Sequence, residues 1–479
     1  MHRVFLIASF LCLSLLRGSL TDGCHAAESL SVGFGLADIT PTVGGAKPVY
    51  IAGYGMNRRA TSVHDPLYAR AIVLFDGHKR VALVSVDVVG LQYPAVQEIR
   101  KRLPEFDYVL VASTHNHEGP DTVGIWGPSP IQSGVNAQYM EHLIAQTVGA
   151  IQTADKTSGA ATTLYGTAAD ERLLRDSRKP YVKDDIIRVV RFNAEGSNKP
   201  RCLLVNWTCH PEALASRNQV ITADFPYYTI RELEQKYGCP VVYFSGAVGG
   251  LMAPPHDLYK RTDGAPLEDG SFEFAERYGN DVAGLTEKAF AAAEPIKLVP
   301  IRFSARPVSV PLTNPLYRLA RMMGVLKREG RKWTGDFENL GEVITRDDPK
   351  ETPAGVTEVA YVQLGDLHLA AIPGEIYPEL VYGRCQNPAD PAADFPDAPL
   401  EPAVVDILPG KKMLLFGLAN DELGYIIPKR QWDERPPFAY GQKEAQYGEG
   451  NSCGPEMAPI LLEALKRRVA DVAHAQRPQ

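Results

Sequence analysis

Apolar and polar positions follow two rhythms along this chain. Short runs rich in Val, Ile and Leu occupy 68–76, 80–90 and 108–114. Each is bounded by turn residues, and such runs read as buried strands. A turn at Gly77-His78 joins the first two, and a further strand over 30–39 ends at Thr40-Pro41. Between them, 93–103 and 138–151 carry apolar residues at helical spacing. The alternation continues with strands at 185–192, 201–209 and 240–246, and helices at 225–238 and 272–293. Gly238 supplies a stop for the first of these helices. From 296 the chain turns extended, with prolines at edge positions. The charged stretch 318–352 is expected to be a surface insertion or lid. Strands return at 358–366, 367–375 and 411–420, and 457–475 closes the chain as a helix. Strands alternating with helices predict a mixed-sheet α/β sandwich. No internal repeat is visible.

The chain has 479 residues, 45% hydrophobic and 22% charged, which suits a globular enzyme-sized domain. Its formal net charge is −7, with Lys and Arg scattered. Nucleic acid is excluded as a partner, since phosphate binding needs concentrated basic surface. An apolar run from 4 to 16 follows His2 and Arg3, too short to span a bilayer. With small residues after it, segment 1–26 reads as a signal peptide cleaved after Ala26, implying export to a periplasm or beyond. Residues 29–479 would form the mature domain. Seven cysteines, with no C-x-x-C pair, argue against a thiolate zinc knuckle.

Chemistry collects where apolar strands end. "LVASTHNHEGPDT" runs straight into His115 and His117, and "LLVNWTC" into His210, Pro211 and Glu212. "IPGE" ends on Glu375 and "NDELGY" on Tyr425. Loops at strand ends are where α/β folds gather catalytic groups. Imidazole, carboxylate and phenolate all ligate zinc, and a catalytic site offers three protein ligands with a position left for water. His115 and His117, two apart, would point to one side of extended chain, one ligating and one touching substrate. Glu118 and Asp121 are candidate partners or proton acceptors. Asp87 reads as a turn cap and Asp224 as a helix N-cap. A second ion held by Asp87, His117 or Asp224 would instead indicate an esterase or phosphoesterase.

In order, "GFGLADITP", "AGYG", "DPLYARAIVL", "LVSVDVVGL", "STHNHEGPDT", "NWTCHPEAL" and "IPGE" resemble the neutral (alkaline, non-lysosomal) ceramidase family, over 30–475. The resemblance implies a zinc-dependent amidase with Zn2+ held by His115, His210, Glu375 and Tyr425. It makes His117 a substrate-contacting or proton-transferring residue and Tyr447 an oxyanion donor. Arg175 or Arg178 would be the site arginine. Two departures stand out. The family's catalytic serine position, before Pro254, holds Ala253. The C-terminal immunoglobulin-like domain of longer members is expected to be absent. Metal-activated water would then be the nucleophile, with the Gly249-Gly250 turn offering backbone donors. The expected substrate is a small N-acyl compound or ceramide-like lipid, compatible with peripheral membrane contact. The alternative is an exported, non-catalytic binding protein that keeps the zinc pocket.

Overall fold

The structure, a computed structural model, describes residues 29–345, 348 and 350–475. The expected signal peptide, with Cys12 and Cys24, lies outside the described residues.

One chain path recurs three times. In the first unit, strands Ser31–Asp38, Tyr68–Phe75 and Arg80–Val86 form an antiparallel meander. Helix Tyr93–Lys101 then leads to strand Tyr108–Ser113, which pairs parallel to Arg80–Val86, and helix Ala137–Lys156 closes the unit. The second unit repeats the path with strands Gly159–Ala169, Ile186–Ala194 and Pro200–Trp207, helix Phe225–Tyr237, strand Val241–Ser245 and helix Phe272–Ala291. The third runs through Ile301–Pro311, Pro353–Leu364, Leu367–Ala371 and Met413–Phe416 to helix Met457–His474. The sequence hides this repetition because only topology recurs; loop lengths and side chains differ in every copy.

The first two units join in a nine-stranded sheet through Ser31 and Val32, paired with Ala160 and Gly159. The third unit dominates a six-stranded sheet. The expected mixed-sheet α/β sandwich is thus what the chain forms. Inner faces of all three units share one core, in which Phe244 stacks on Phe416 at 3.9 Å between ring centroids. Each outer face is covered by its own unit's helices.

Local sequence explains the fit. Asn136, Asp224, Ser271 and Asn314 cap helix N-termini with side-chain oxygens, and Gly238 ends its helix in a left-handed conformation. A Cβ on Gly35 would fall 1.9 Å from the carbonyl oxygen of Ala150. Glycine in "GFG" is therefore what lets helix Ala137–Lys156 lie directly on its strand.

Parallel pairing of the third and fourth strands makes both end on the same side of each unit. These ends meet: Ser113 N–H donates to the Leu418 carbonyl at 3.2 Å, and Gly417 N–H to that of Ser245 at 3.1 Å. Between the first and second strands of each unit lies an excursion, at 39–67, 170–185 and 312–352. The last spans the charged stretch 318–352 and holds helix Pro315–Met322 and a hairpin of Gly330–Lys332 with Val343–Ile344. The five described cysteines are free thiols. Among the described residues, no helix is long and apolar enough to cross a membrane.

Candidate active site

Each unit sends side chains to one point. His115 and His117 follow the first unit's fourth strand, and His210 and Glu212 the second unit's third strand. Glu375, Glu422 and Tyr425 follow the third unit's last two strands. Glu375 Oε2 lies 3.0 Å from His210 Nε2 and 3.3 Å from His115 Nε2. Backbone carbonyls hold both rings from behind: Val89 at 2.7 Å from His115 Nδ1, and Met252 at 2.8 Å from His210 Nδ1. With Nδ1 donating to these carbonyls, each neutral ring turns its Nε2 lone pair towards the carboxylate. Two lone pairs and a carboxylate facing one another repel unless a proton or a cation lies between them.

The electrostatics express the proton solution. Burial disfavours a charged His115, but the Glu375 carboxylate outweighs it and lifts the pKa to about 9. Burial likewise favours a neutral Glu375, yet the His115 charge and the bonds from both histidines hold it far below the usual carboxylate range. A divalent cation would satisfy the same donors. The His117 ring stands beside them: ligand-capable nitrogens of His115, His117 and His210 all lie within 4.8 Å of one another. All three histidines are buried. Glu422, buried beside the charge of Glu375, has its pKa raised to about 8.

Tyr425 pairs with Glu375 across a short parallel ladder, which sets it beside the carboxylate. Its ring lies 5.8 Å from that of Tyr447. Both tyrosines, with His115, His117 and Glu375, line a cavity of about 520 Å³. The remaining wall is largely apolar, including Val89, Val123, Ile125, Trp126 and Leu326, as a site for an apolar ligand requires. The 312–352 excursion closes one side with Leu312, Tyr317, Arg321 and Arg328.

His115 is not in extended chain. Its φ is 66°, so the strand ends before it, and a turn brings the His115 and His117 rings to 4.8 Å at 74°. Arg58 fixes the His117 backbone by donating to its carbonyl oxygen. Gly53 packs on the His117 ring, where a Cβ would come within 2.4 Å of Cγ, and its own φ is 96°. Gly53→Ala is therefore expected to displace His117 and lower turnover by roughly 10²-fold, the cost of about 1 Å of misplacement. A metal content equal to the parent's, measured beside the rate, checks that the other side chains of the cluster are undisturbed.

Several candidates sit elsewhere. Glu118 is buried on Arg58 at 3.0 Å and Asn218 at 2.8 Å, and Asp121 accepts the backbone N–H groups of Val123, Gly124 and Trp126. Both build the loop and neither faces the histidine cluster. Asp87 pairs with Arg70 at 3.0 Å, and Asp224 caps its helix while accepting from Ala213 and Leu214. The Gly249 N–H is already spent on the Ile376 carbonyl at 3.0 Å. Neither Arg175 nor Arg178 lines the cavity; Arg178 is buried against Glu449, and Arg175 pairs through its backbone with Ala253.

Residues 30–242 match the family described as neutral/alkaline non-lysosomal ceramidase, N-terminal. Over this N-terminal part, the chain belongs to the neutral/alkaline ceramidase family. A crystal structure of neutral ceramidase from Pseudomonas aeruginosa is similar in fold, with a TM-score of 0.68 at 15% identity over 94% of this chain and 75% of that one. A ceramidase complexed with C2 matches with a TM-score of 0.66 at 16% identity, over 94% and 76%.

Three residues of this ceramidase-family site escaped the sequence reading. Glu212 Oε2 lies 3.6 Å from His117 Nδ1, and the Tyr54 hydroxyl donates to the same carboxylate oxygen at 3.2 Å. Glu422 is the third. Glu212 had a usable signal, standing two residues after His210. Tyr54, inside "AGYG", had none beyond its neighbours.

Proposed function

We propose that this protein is an exported, zinc-dependent amidase that cleaves N-acyl, ceramide-like lipids. The observation that carries this reading is the convergence of three chain segments on one Glu375 oxygen beside an apolar cavity. His115, His210 and Glu375 would hold the ion, with Tyr425 as the fourth donor. Zinc bound there would supply a Lewis acid and a water whose pKa falls from about 15.7 towards about 7.

The chain's own groups do the rest. Burial, reinforced by His115 and His210, holds His117 far below the usual histidine range, so it is neutral at pH 7. A neutral ring accepts the proton that water loses as it attacks the amide carbonyl, then hands it to the departing nitrogen. Glu212 stabilises the imidazolium between those events. The Tyr447 hydroxyl donates to the developing oxyanion. The apolar wall takes up the acyl chain. Water is the nucleophile, because Ala253 carries no hydroxyl and Ser216, the serine on the cavity wall, stands exposed at its rim.

The test is metal analysis followed by a panel of N-acyl substrates. About one zinc per chain is expected, with hydrolysis lost on chelation and restored by zinc. A second reading, a non-catalytic zinc-binding protein with the same pocket, is favoured by Ala253. Metal bound without turnover of any amide would establish that reading instead.

A further inference from the structure

Helix Pro315–Met322 is built inside out. A surface helix normally turns its apolar stripe to the core. Here Leu316, Leu319, Met322 and Met323 are exposed to 63%, 48%, 54% and 48%. They account for four of the twelve exposed large apolar side chains among the described residues. No residue of the helix is buried, and its half-buried residues include Tyr317 and Arg321, which line the cavity. The outward apolar stripe is thus the reverse side of the cavity wall. Two other exposed apolar residues border the same opening: Tyr447, on the wall itself, and Met56, next to Gly55 of the wall.

The charge of the segment is equally unusual. From 315 to 328 it carries Arg318, Arg321, Lys327 and Arg328 and no acidic residue, in a chain of net charge −7. Arg328 is turned inward onto Asp421, while Lys327 is exposed. Apolar side chains that face water, interleaved with basic ones, are the signature of a helix lying in a lipid headgroup layer.

We infer that this helix docks the protein on an anionic lipid bilayer, with the cavity mouth facing the membrane. The inference rests on the amidase reading for its purpose: a long-chain N-acyl lipid enters the cavity from the bilayer without crossing water. Docking itself is measured without turnover, so the two readings fail separately.

The experiment compares the full chain with a Leu316→Ser/Leu319→Ser/Met322→Ser/Met323→Ser variant, identical elsewhere, in co-flotation with vesicles of phosphatidylcholine and phosphatidylglycerol. The unfolding temperature of each protein checks that the fold is kept. The parent should float, and its partition coefficient should fall at least tenfold in the variant and also when salt is raised from 50 to 500 mM. Hydrolysis of a short, water-soluble N-acyl amide should be unchanged, while hydrolysis of the vesicle-borne long-chain amide falls. Equal flotation of the two proteins overturns the inference, as does a parent that stays with the soluble fraction. A parent that is dimeric through this helix, made monomeric by the variant without vesicle binding, would assign the face to a second copy instead.

Discussion

On the proposed zinc-amidase chemistry, replacing His210 with alanine is expected to abolish zinc binding and lower kcat/KM for an N-acyl amide by at least ~10³-fold, about 4 kcal/mol of transition-state stabilisation. His210 is 1% exposed, and its Nε2 is one of two imidazole nitrogens on the Glu375 oxygen. Its loss leaves the buried Glu375 carboxylate with His115 as its remaining imidazole partner. His368→Ala is the control. His368 is also buried, but on strand Leu367–Ala371, where its Nδ1 bonds the Tyr361 hydroxyl at 2.6 Å. That variant should keep its zinc and its turnover. Activity that survives in His210→Ala, or persists under chelation, would remove metal chemistry from the site. Equal loss in both variants would mean that any buried histidine matters merely to the fold.

The experiment also probes what could be read before the fold was known. Strand ends were legible because a buried run of Val, Leu and Ala must stop where polar groups begin, and His115, His210, Glu375 and Tyr425 all stand just past such stops. Their meeting was not legible. It depends on three copies of one chain path whose parallel strand pairs finish together, a long-range geometry that leaves no periodicity in the sequence. The same limit explains the misplaced carboxylates. Glu118 and Asp121 follow the histidines closely, so proximity in sequence suggested shared work. The turn that begins at His115, with its positive φ, points them into the loop instead. Asp224 was read correctly because capping is a local act, settled by the residues on either side of it.

Arg178 shows how a plausible site residue becomes a structural one, and its replacement should produce a large stability change outside the histidine cluster. Its guanidinium is buried, bonded to both Glu449 oxygens at 2.8 and 2.5 Å, to the Tyr447 carbonyl at 2.9 Å and to the Gln431 carbonyl at 3.1 Å. It therefore pins the segment that carries Tyr447 to the cavity wall. Arg178→Ala leaves the Glu449 charge buried and uncompensated, a loss of about 3–5 kcal/mol. At about 2.1 cal/mol/K of unfolding entropy per residue, that is a fall of roughly 3–5 °C in Tm for a chain of this length. Arg178→Met with Glu449→Leu removes both charges and should recover most of the loss, since a buried pair replaced by apolar groups is nearly neutral. KM should rise in the single variant as Tyr447 loosens, and fall back only partly in the double, which lacks the bond to the Tyr447 carbonyl. An arginine that gripped substrate directly would behave otherwise: Arg178→Ala would raise KM with Tm unmoved, and the Glu449 partner change would restore nothing. Calorimetry and KM measured on the same three proteins decide between the two roles.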